Sequence, residues 1–302
     1  MHILIPGGSG LIGSALSRRL LAEGHRVTIL SRNPQTVQLV PGVTAVQWDG
    51  KTTAGWGHLV EEVDAIVNLV GVNLGGGLWT RTRKEQLRSS RLFAGQAVTE
   101  AIRQAQHRPA VLVQASAVGF YPPSGDQILD ETSSGGTDFQ GTLCRDWEES
   151  TRAVEDMGVR RVIIRSGVVL ASGALILRMF TLPFRMMVGG PLGSGKQYIS
   201  WVHIEDEVKG ILYLINDETA HGIYNLMSPN PVRQSELGRV IARVIHRPYW
   251  FPVPAFGLRL ALGEMSTVVL DSWRAVPARL QEMGFKFNYP EIEPALFDLL
   301  SL

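Results

Sequence analysis

The sequence has one cysteine, Cys144, which excludes an intrachain disulfide and a cysteine-based zinc site. It also lacks any apolar run near the 18 or so residues that a membrane-spanning helix needs. Charge is sparse: Asp, Glu, Lys and Arg make up 19% of the 302 residues, below the roughly 25% of an average soluble protein. It is nearly balanced as well, 29 basic residues against 28 acidic ones leaving +1. The molecule as a whole thus has no electrostatic reason to seek nucleic acid or acidic lipid. Neither a G-x-S-x-G elbow nor an H-E-x-x-H pair is present, which leaves the serine-hydrolase and zincin readings without support. The segment Met1–Pro6 has no basic region, and its apolar stretch is too short for a secretory signal. These absences lead us to expect a cytoplasmic protein without a membrane, nucleic-acid or metal partner.

What is present begins with a 45% apolar content, enough for a sizeable core, and a length that suggests about two domains. The first half alternates short β-rich runs with amphipathic stretches. Strands are expected at His2–Pro6, Arg26–Leu30, Val43–Trp48, Ala65–Val70, Ala110–Ala115 and Arg161–Ser166. Helices are expected at Leu11–Ala22, Thr82–Gln106 and Leu143–Met157, the long one with Leu87, Phe93, Ala97, Val98, Ala101 and Ile102 inward. That alternation predicts βαβ units and an α/β, Rossmann-type doubly wound parallel sheet. After residue 170 the rhythm changes, and beyond Asn225 the pattern is mostly helical. We expect a dinucleotide-binding domain over 1–170 plus about 201–225. A smaller, mostly helical domain would take 171–200 plus about 226–302.

Glycine carries the chemistry. The 32 glycines exceed the roughly 7% that is usual, and the informative ones are Gly7-Gly8-Ser9-Gly10-Leu11-Ile12-Gly13. They lie directly after the first strand and open the first helix. A dinucleotide site needs them for a tight turn, for backbone approach to a pyrophosphate, and for close helix–strand packing. The helix N-terminus then offers free N–H groups to the phosphates. An acid reading the ribose of NAD is expected about 20 residues on. Ser31-Arg32 stands there instead, and no acid follows before Asp49. Arginine and a hydroxyl suit the 2′-phosphate of NADP, although a strand-end arginine can also simply be solvated. Two look-alikes are set aside. Gly190 to Lys196 fits G-x-x-x-x-G-K, but Gln197 replaces the required Ser/Thr and a strand-like run follows. His203-x-Glu205-Asp206 has no second histidine at ligand spacing, so the acids read as a helix start.

The glycine motif, Asn68-Leu69-Val70-Gly71 and Ser116 together resemble the extended short-chain dehydrogenase/reductase superfamily. More narrowly, the chain resembles its atypical group of epimerase family proteins. The carriers are Ser31-Arg32, Leu143-Cys144-x-x-Trp147-Glu148, Arg165-Ser166-Gly167-Val168-Val169-Leu170, the Gly189–Gly195 run, and Trp201-Val202-His203-Ile204-Glu205-Asp206. A C-terminal run from Phe251 to Phe285 belongs with them. The resemblance implies NADP(H) at the C-terminal edge of the sheet. Gly7, Gly10, Leu11, Ile12 and Gly13 would touch the pyrophosphate, and Ser31 and Arg32 the 2′-phosphate. Asp49 would reach the adenine, Leu69, Val70 and Gly71 would line the ribose with Arg91 nearby, and Val169 would lie beside the nicotinamide.

One departure stands out. Standard members of the superfamily use a Tyr-x-x-x-Lys pair on the helix after the fifth strand, and the matching region here, Gln140-Gly141-Thr142-Leu143-Cys144, has neither residue. No lysine occurs between Lys84 and Lys196. Ser116 is left as the candidate that hydrogen-bonds substrate or nicotinamide. Tyr121 is either a proton donor or a pocket-wall aromatic, and Cys144 reads as a packing residue. Two functions follow: an NADP-dependent oxidoreductase or epimerase acting on a small polar substrate, or an NADP-binding sensor without turnover.

Overall fold

The computed structural model describes residues 1–301. Seven strands form one parallel sheet: β1 (His2–Pro6), β2 (Arg26–Ser31), β3 (Thr44–Gln47), β4 (Ala65–Asn68), β5 (Val111–Ala117), β6 (Arg160–Ser166) and β7 (Gly222–Leu226). Their spatial order is β7-β6-β5-β4-β1-β2-β3. The chain winds outward from β1 in one direction and from β4 in the other. A crevice therefore opens between the C-terminal ends of β1 and β4, where doubly wound sheets hold their ligands.

The helices are α1 (Leu11–Ala22), α2 (Arg81–Gln104), α3 (Phe139–Glu149), α4 (Leu175–Arg185), α5 (Ile204–Asn216), α6 (Gln234–Val244) and α7 (Ala255–Leu262), with further short helices towards the C-terminus. Side chains alternate across a strand, and β1 shows the consequence. Ile3 and Ile5 pack with Leu16 and Leu20 of α1 and Ile211 of α5, whereas Leu4 packs with Ala94 and Val98 of α2. Both faces are covered, so the inner strands read as unbroken apolar runs. A third cluster joins Leu177 and Phe184 of α4, Trp201, Val240 and Ile241 of α6, and Leu296 of the C-terminal helix Ile292–Leu300.

Three local expectations need correction. The helix expected over Leu143–Met157 begins earlier, at Phe139, because the Asp138 carboxylate caps it by accepting from Gly141 N at 2.7 Å. It also stops at Glu149, and a 3-10 turn covers Arg152–Met157. Ser150 sits at the break, its hydroxyl donating to Trp147 O at 2.6 Å, the kind of local bond that competes with helix. The fourth strand ends at Asn68 rather than Val70, since the Asn68 side chain accepts from Val70 N at 3.3 Å and turns the chain into the crevice. On α2, Phe93 does not join the inward face. It is 40% exposed, because six residues from Leu87 is about 240° of helix rotation at 3.6 residues per turn.

Candidate nucleotide cleft

The glycine turn is built from close approaches. A Cβ at Gly8 would stand 2.3 Å from Ile29 Cγ2, and one at Gly13 would stand 2.5 Å from Gly8 Cα. These two glycines let α1 start tight against the sheet. Gly7 has φ of 81°, in the left-handed region that disfavours side chains, and its Cβ would press on the Leu69–Val70 peptide at 2.9 Å. Gly10 differs. It is exposed at the N-cap of α1, and within 4 Å its Cβ would meet only Gly7 O, at 3.2 Å. A side chain there would fill a space that opens to the crevice. The first turn of α1 has no acidic residue and no side-chain cap. The N–H groups of Leu11, Ile12 and Gly13 therefore lack intrahelical partners. Such a cradle fits a pyrophosphate.

The crevice is a cleft of about 790 Å³ lined on one wall by Gly7, Gly10, Ser31 and Arg32. Leu69, Val70 and Gly71 line its floor, and Trp48, Asp49 and Lys51 close one end. The opposite wall is a stripe of α2 residues at helical spacing, Arg83, Gln86, Ser90 and Phe93. Lys51 Nζ lies 5.9 Å from the Phe93 ring centre, across the adjoining end. Arg32 and Lys51 form no ion pair among the described residues, and Arg83 Nε is buried without a partner. The single carboxylate in the lining, Asp49, is turned back on its own loop. It accepts from Lys51 N, Thr52 N and the Thr52 hydroxyl at 2.7, 2.9 and 2.8 Å. Those bonds hold its carboxyl below the usual carboxylate range, the Thr52 N–H first.

Several residues that the resemblance implicated do not line this cleft. Arg91 is buried behind it, donating to Val72 O at 3.2 Å and Leu87 O at 2.9 Å, with its guanidinium 4.7 Å from the Trp147 ring centre. Burial brings it down to about 10. It braces the Gly71–Val72 backbone, and a Cβ at Gly71 would touch it at 3.0 Å. Val169 is half-buried on a short strand paired with Trp201–His203.

Ser116, Tyr121 and Cys144 lie in a buried polar network beside the ends of β5, β6 and β7. Ser116 Oγ donates to Glu148 at 2.6 Å, and Arg165 grips the same carboxylate with two bonds of 2.8 and 2.9 Å. Arg165 also donates to Tyr121 OH at 3.1 Å, and that hydroxyl donates to Asn225 Oδ1 at 2.7 Å. Desolvation pushes the Tyr121 phenol above its ordinary range, against the pull of Arg165. The Cys144 thiol is pushed up to about 12, by burial first and then by Glu148. The motifs containing Glu148 and Arg165 were visible in sequence, but their pairing across 17 residues was not. Lys51, Arg83 and Phe93 were also missed. The signal for the last two was a polar-edged stripe at positions 83, 86, 90 and 93 of a helix beside the glycine turn.

The remaining motifs have structural roles. The Gly189–Gly195 run packs on the segment after α6: Gly193 N donates to Val253 O at 2.8 Å, and Gly190 approaches Phe251 O where a Cβ would stand at 2.0 Å. His203 is the N-cap of α5, Nδ1 accepting from Glu205 N at 3.2 Å.

The fold and cleft define a Rossmann-type nucleotide-binding protein. Residues 3–227 match the NAD dependent epimerase/dehydratase family, and residues 253–299 match a domain of unknown function. The chain belongs to that NAD dependent epimerase/dehydratase family. It is similar to an epimerase family protein of Staphylococcus saprophyticus, 39% identical over 300 residues and 99% of both chains. It is 38% identical to one of Staphylococcus aureus, over 99% of this chain and 98% of the relative. Among solved structures, human epimerase family protein SDR39U1, in a crystal structure with NADPH, matches with a TM-score of 0.88 and 31% identity over 100% of this chain and 99% of that one. A Thermus thermophilus UDP-glucose 4-epimerase complex with NAD shares the fold at a TM-score of 0.78, with 17% identity over 99% and 98% of the two chains. The resemblance read from the motifs is thereby confirmed at the level of family and fold.

Proposed function

We propose that this protein binds NADP(H) and uses it in oxidoreductase or epimerase-like chemistry on a small molecule, without the Tyr-x-x-x-Lys pair. The observation that carries the cofactor choice is the end of the cleft beside β2 and β3. Ser31, Arg32 and Lys51 converge there, and the one nearby carboxylate, Asp49, is committed to its own loop. Arginine and lysine without a carboxylate partner favour a phosphate over a free ribose hydroxyl. The human relative crystallised with NADPH points the same way, whereas the more distant Thermus structure holds NAD. Gly7, Gly10 and the first turn of α1 would hold the pyrophosphate, and Leu69 to Gly71 the ribose. A bound nicotinamide supplies hydride transfer.

The second reading, an NADP(H)-binding sensor without turnover, is favoured by the committed hydrogen bonds of Ser116 and Tyr121. One experiment separates the two. NADPH oxidation is followed over a panel of carbonyl compounds and nucleotide sugars, with cofactor binding measured in parallel by calorimetry. Turnover that Ser116→Ala removes while NADPH still binds supports the enzyme. Tight NADPH binding without turnover across the panel supports the sensor, and no binding of either nucleotide ends both readings.

A further inference from the structure

Sixteen large apolar side chains are exposed among the described residues, and ten of them fall in two short segments, 175–188 and 250–260. Along α4 the exposed positions are Leu175, Met179, Leu182 and Met186, a continuous stripe at helical spacing. The opposite face of the helix, Leu177 and Phe184, packs inward. The two segments meet at Met187–Gly189 and Trp250–Phe251: Trp250 N and Phe251 N both donate to Gly189 O at 2.9 and 3.0 Å, and Trp250 Nε1 donates to Met187 O at 2.9 Å. From there the chain enters α7, where Phe256 is 74% and Leu260 86% exposed. Soluble monomers rarely leave apolar side chains so concentrated and open without using them.

The charge within the two segments is one-sided, and the carboxylate that reaches Arg259, Asp271, comes from outside them. No Asp or Glu occurs from residue 157 to 204, or from 237 to 263. Arg178, Arg185, Arg247 and Arg259 are exposed beside the apolar positions. None of the four joins an ion pair among the described residues. The whole-molecule charge of +1 conceals this segregation.

We propose that α4, α7 and the Met187–Val188 and Trp250–Phe251 segments dock the protein peripherally on an anionic membrane surface. Apolar side chains would enter the headgroup–acyl boundary and the arginines would contact lipid phosphates. Two observations favour lipid over a protein partner. Helix α7, Ala-Phe-Gly-Leu-Arg-Leu-Ala-Leu, has a single charge, packs Leu262 inward and turns Phe256 and Leu260 outward. Such an apolar outer face with an arginine beside it suits an acyl boundary under anionic headgroups. A second copy meeting this face symmetrically would set the same arginines against each other, with no carboxylate in either segment to pair them. No helix of the described residues is long and apolar enough to cross the bilayer, so the contact is superficial.

The test is co-sedimentation of the full chain with vesicles of phosphatidylcholine mixed with phosphatidylglycerol, and with phosphatidylcholine alone. Binding to the mixed vesicles only, weakening with salt, is the expected result. Arg178→Ala and Arg185→Ala should each reduce partitioning about fivefold, and Phe256→Glu with Leu260→Glu should abolish it. Trp250 emission should shift to the blue on binding, and the shift should vanish in Trp250→Phe. Circular dichroism and melting temperature identify any variant that fails to fold, and the arginine variants stand in for the glutamate pair in that case. No binding to the mixed vesicles overturns the proposal. So does binding that these variants leave unchanged, or a discrete dimer that Phe256→Glu with Leu260→Glu dissolves.

Discussion

Two polar regions lie at the C-terminal edge of the same sheet, and they are finished differently. In the cleft between β1 and β4, Arg32 and Lys51 lack carboxylate partners among the described residues, and Gly10 leaves a side chain's worth of space beside a helix N-terminus. At the ends of β5, β6 and β7, Ser116, Glu148, Arg165, Tyr121 and Asn225 bond to one another and are buried. The first region keeps donors free for something not in the chain, and the second spends its donors on itself. A buried pair such as Arg165–Glu148 is weak evidence of stability gain. Its visible consequence is positional, since it fixes three strand ends and α3 relative to one another. Helix α3 contributes Cys144 and Glu148 to that closed network.

Breaking the closed region should have the largest effect. Glu148→Ala leaves Arg165 buried without a counter-charge, and stability should fall by about 3–5 kcal/mol, measured by denaturant unfolding. Glu148→Gln, which keeps acceptors for Ser116 and Arg165, should cost less. In the open region, Gly10→Val should leave the fold largely intact yet remove dinucleotide binding, a loss of more than about a hundredfold in calorimetry. A folded Gly10→Val protein that binds like the parent would show that the cradle is not where the pyrophosphate sits.

A third prediction concerns Glu207, fully buried in the first turn of α5, with Ser166 Oγ donating to one oxygen at 2.6 Å. Its other oxygen has no partner among the described residues, and burial pushes the carboxyl up to about 8 from an ordinary 4.5. Between those values the folded protein holds a proton that the unfolded chain has lost, so stability from this group falls as pH rises. The contribution is complete below about 4.5 and gone above about 8. Glu207→Gln should flatten the pH profile of the melting temperature in that window, and a profile unchanged by the substitution would show that the group ionises inside the fold. The smallest effect is expected from Cys144→Ser, whose thiol is buried and protonated at neutral pH. Any turnover found should survive it.

The comparison also explains what the sequence could convey. The glycine turn was legible because its strand, turn and helix are contiguous and each glycine answers a local steric demand. The parallel sheet was legible from unbroken apolar runs. The Ser116 network was not, because its members sit on β5, α3, β6 and β7 and meet only after folding. Phe93 was misassigned for a related reason: an aromatic residue on an amphipathic helix reads as core until an open cleft is found beside it. The apolar surface of α4 and α7 was hidden too, since sequence periodicity shows that a helix has an apolar stripe and not whether that stripe is covered.

The central proposal is that the cleft selects NADP(H), and the most direct test is calorimetric titration of the protein with NADPH and with NADH under the same conditions. A charge-assisted contact from arginine to phosphate contributes about 1.5–3 kcal/mol. That amounts to a preference of roughly tenfold to somewhat over a hundredfold, with solvent screening at the exposed Arg32 favouring the low end. The account predicts tighter binding of NADPH by at least about tenfold, with Arg32→Ala narrowing the gap by weakening NADPH alone. Equal affinity for the two nucleotides in the unmodified protein would contradict it.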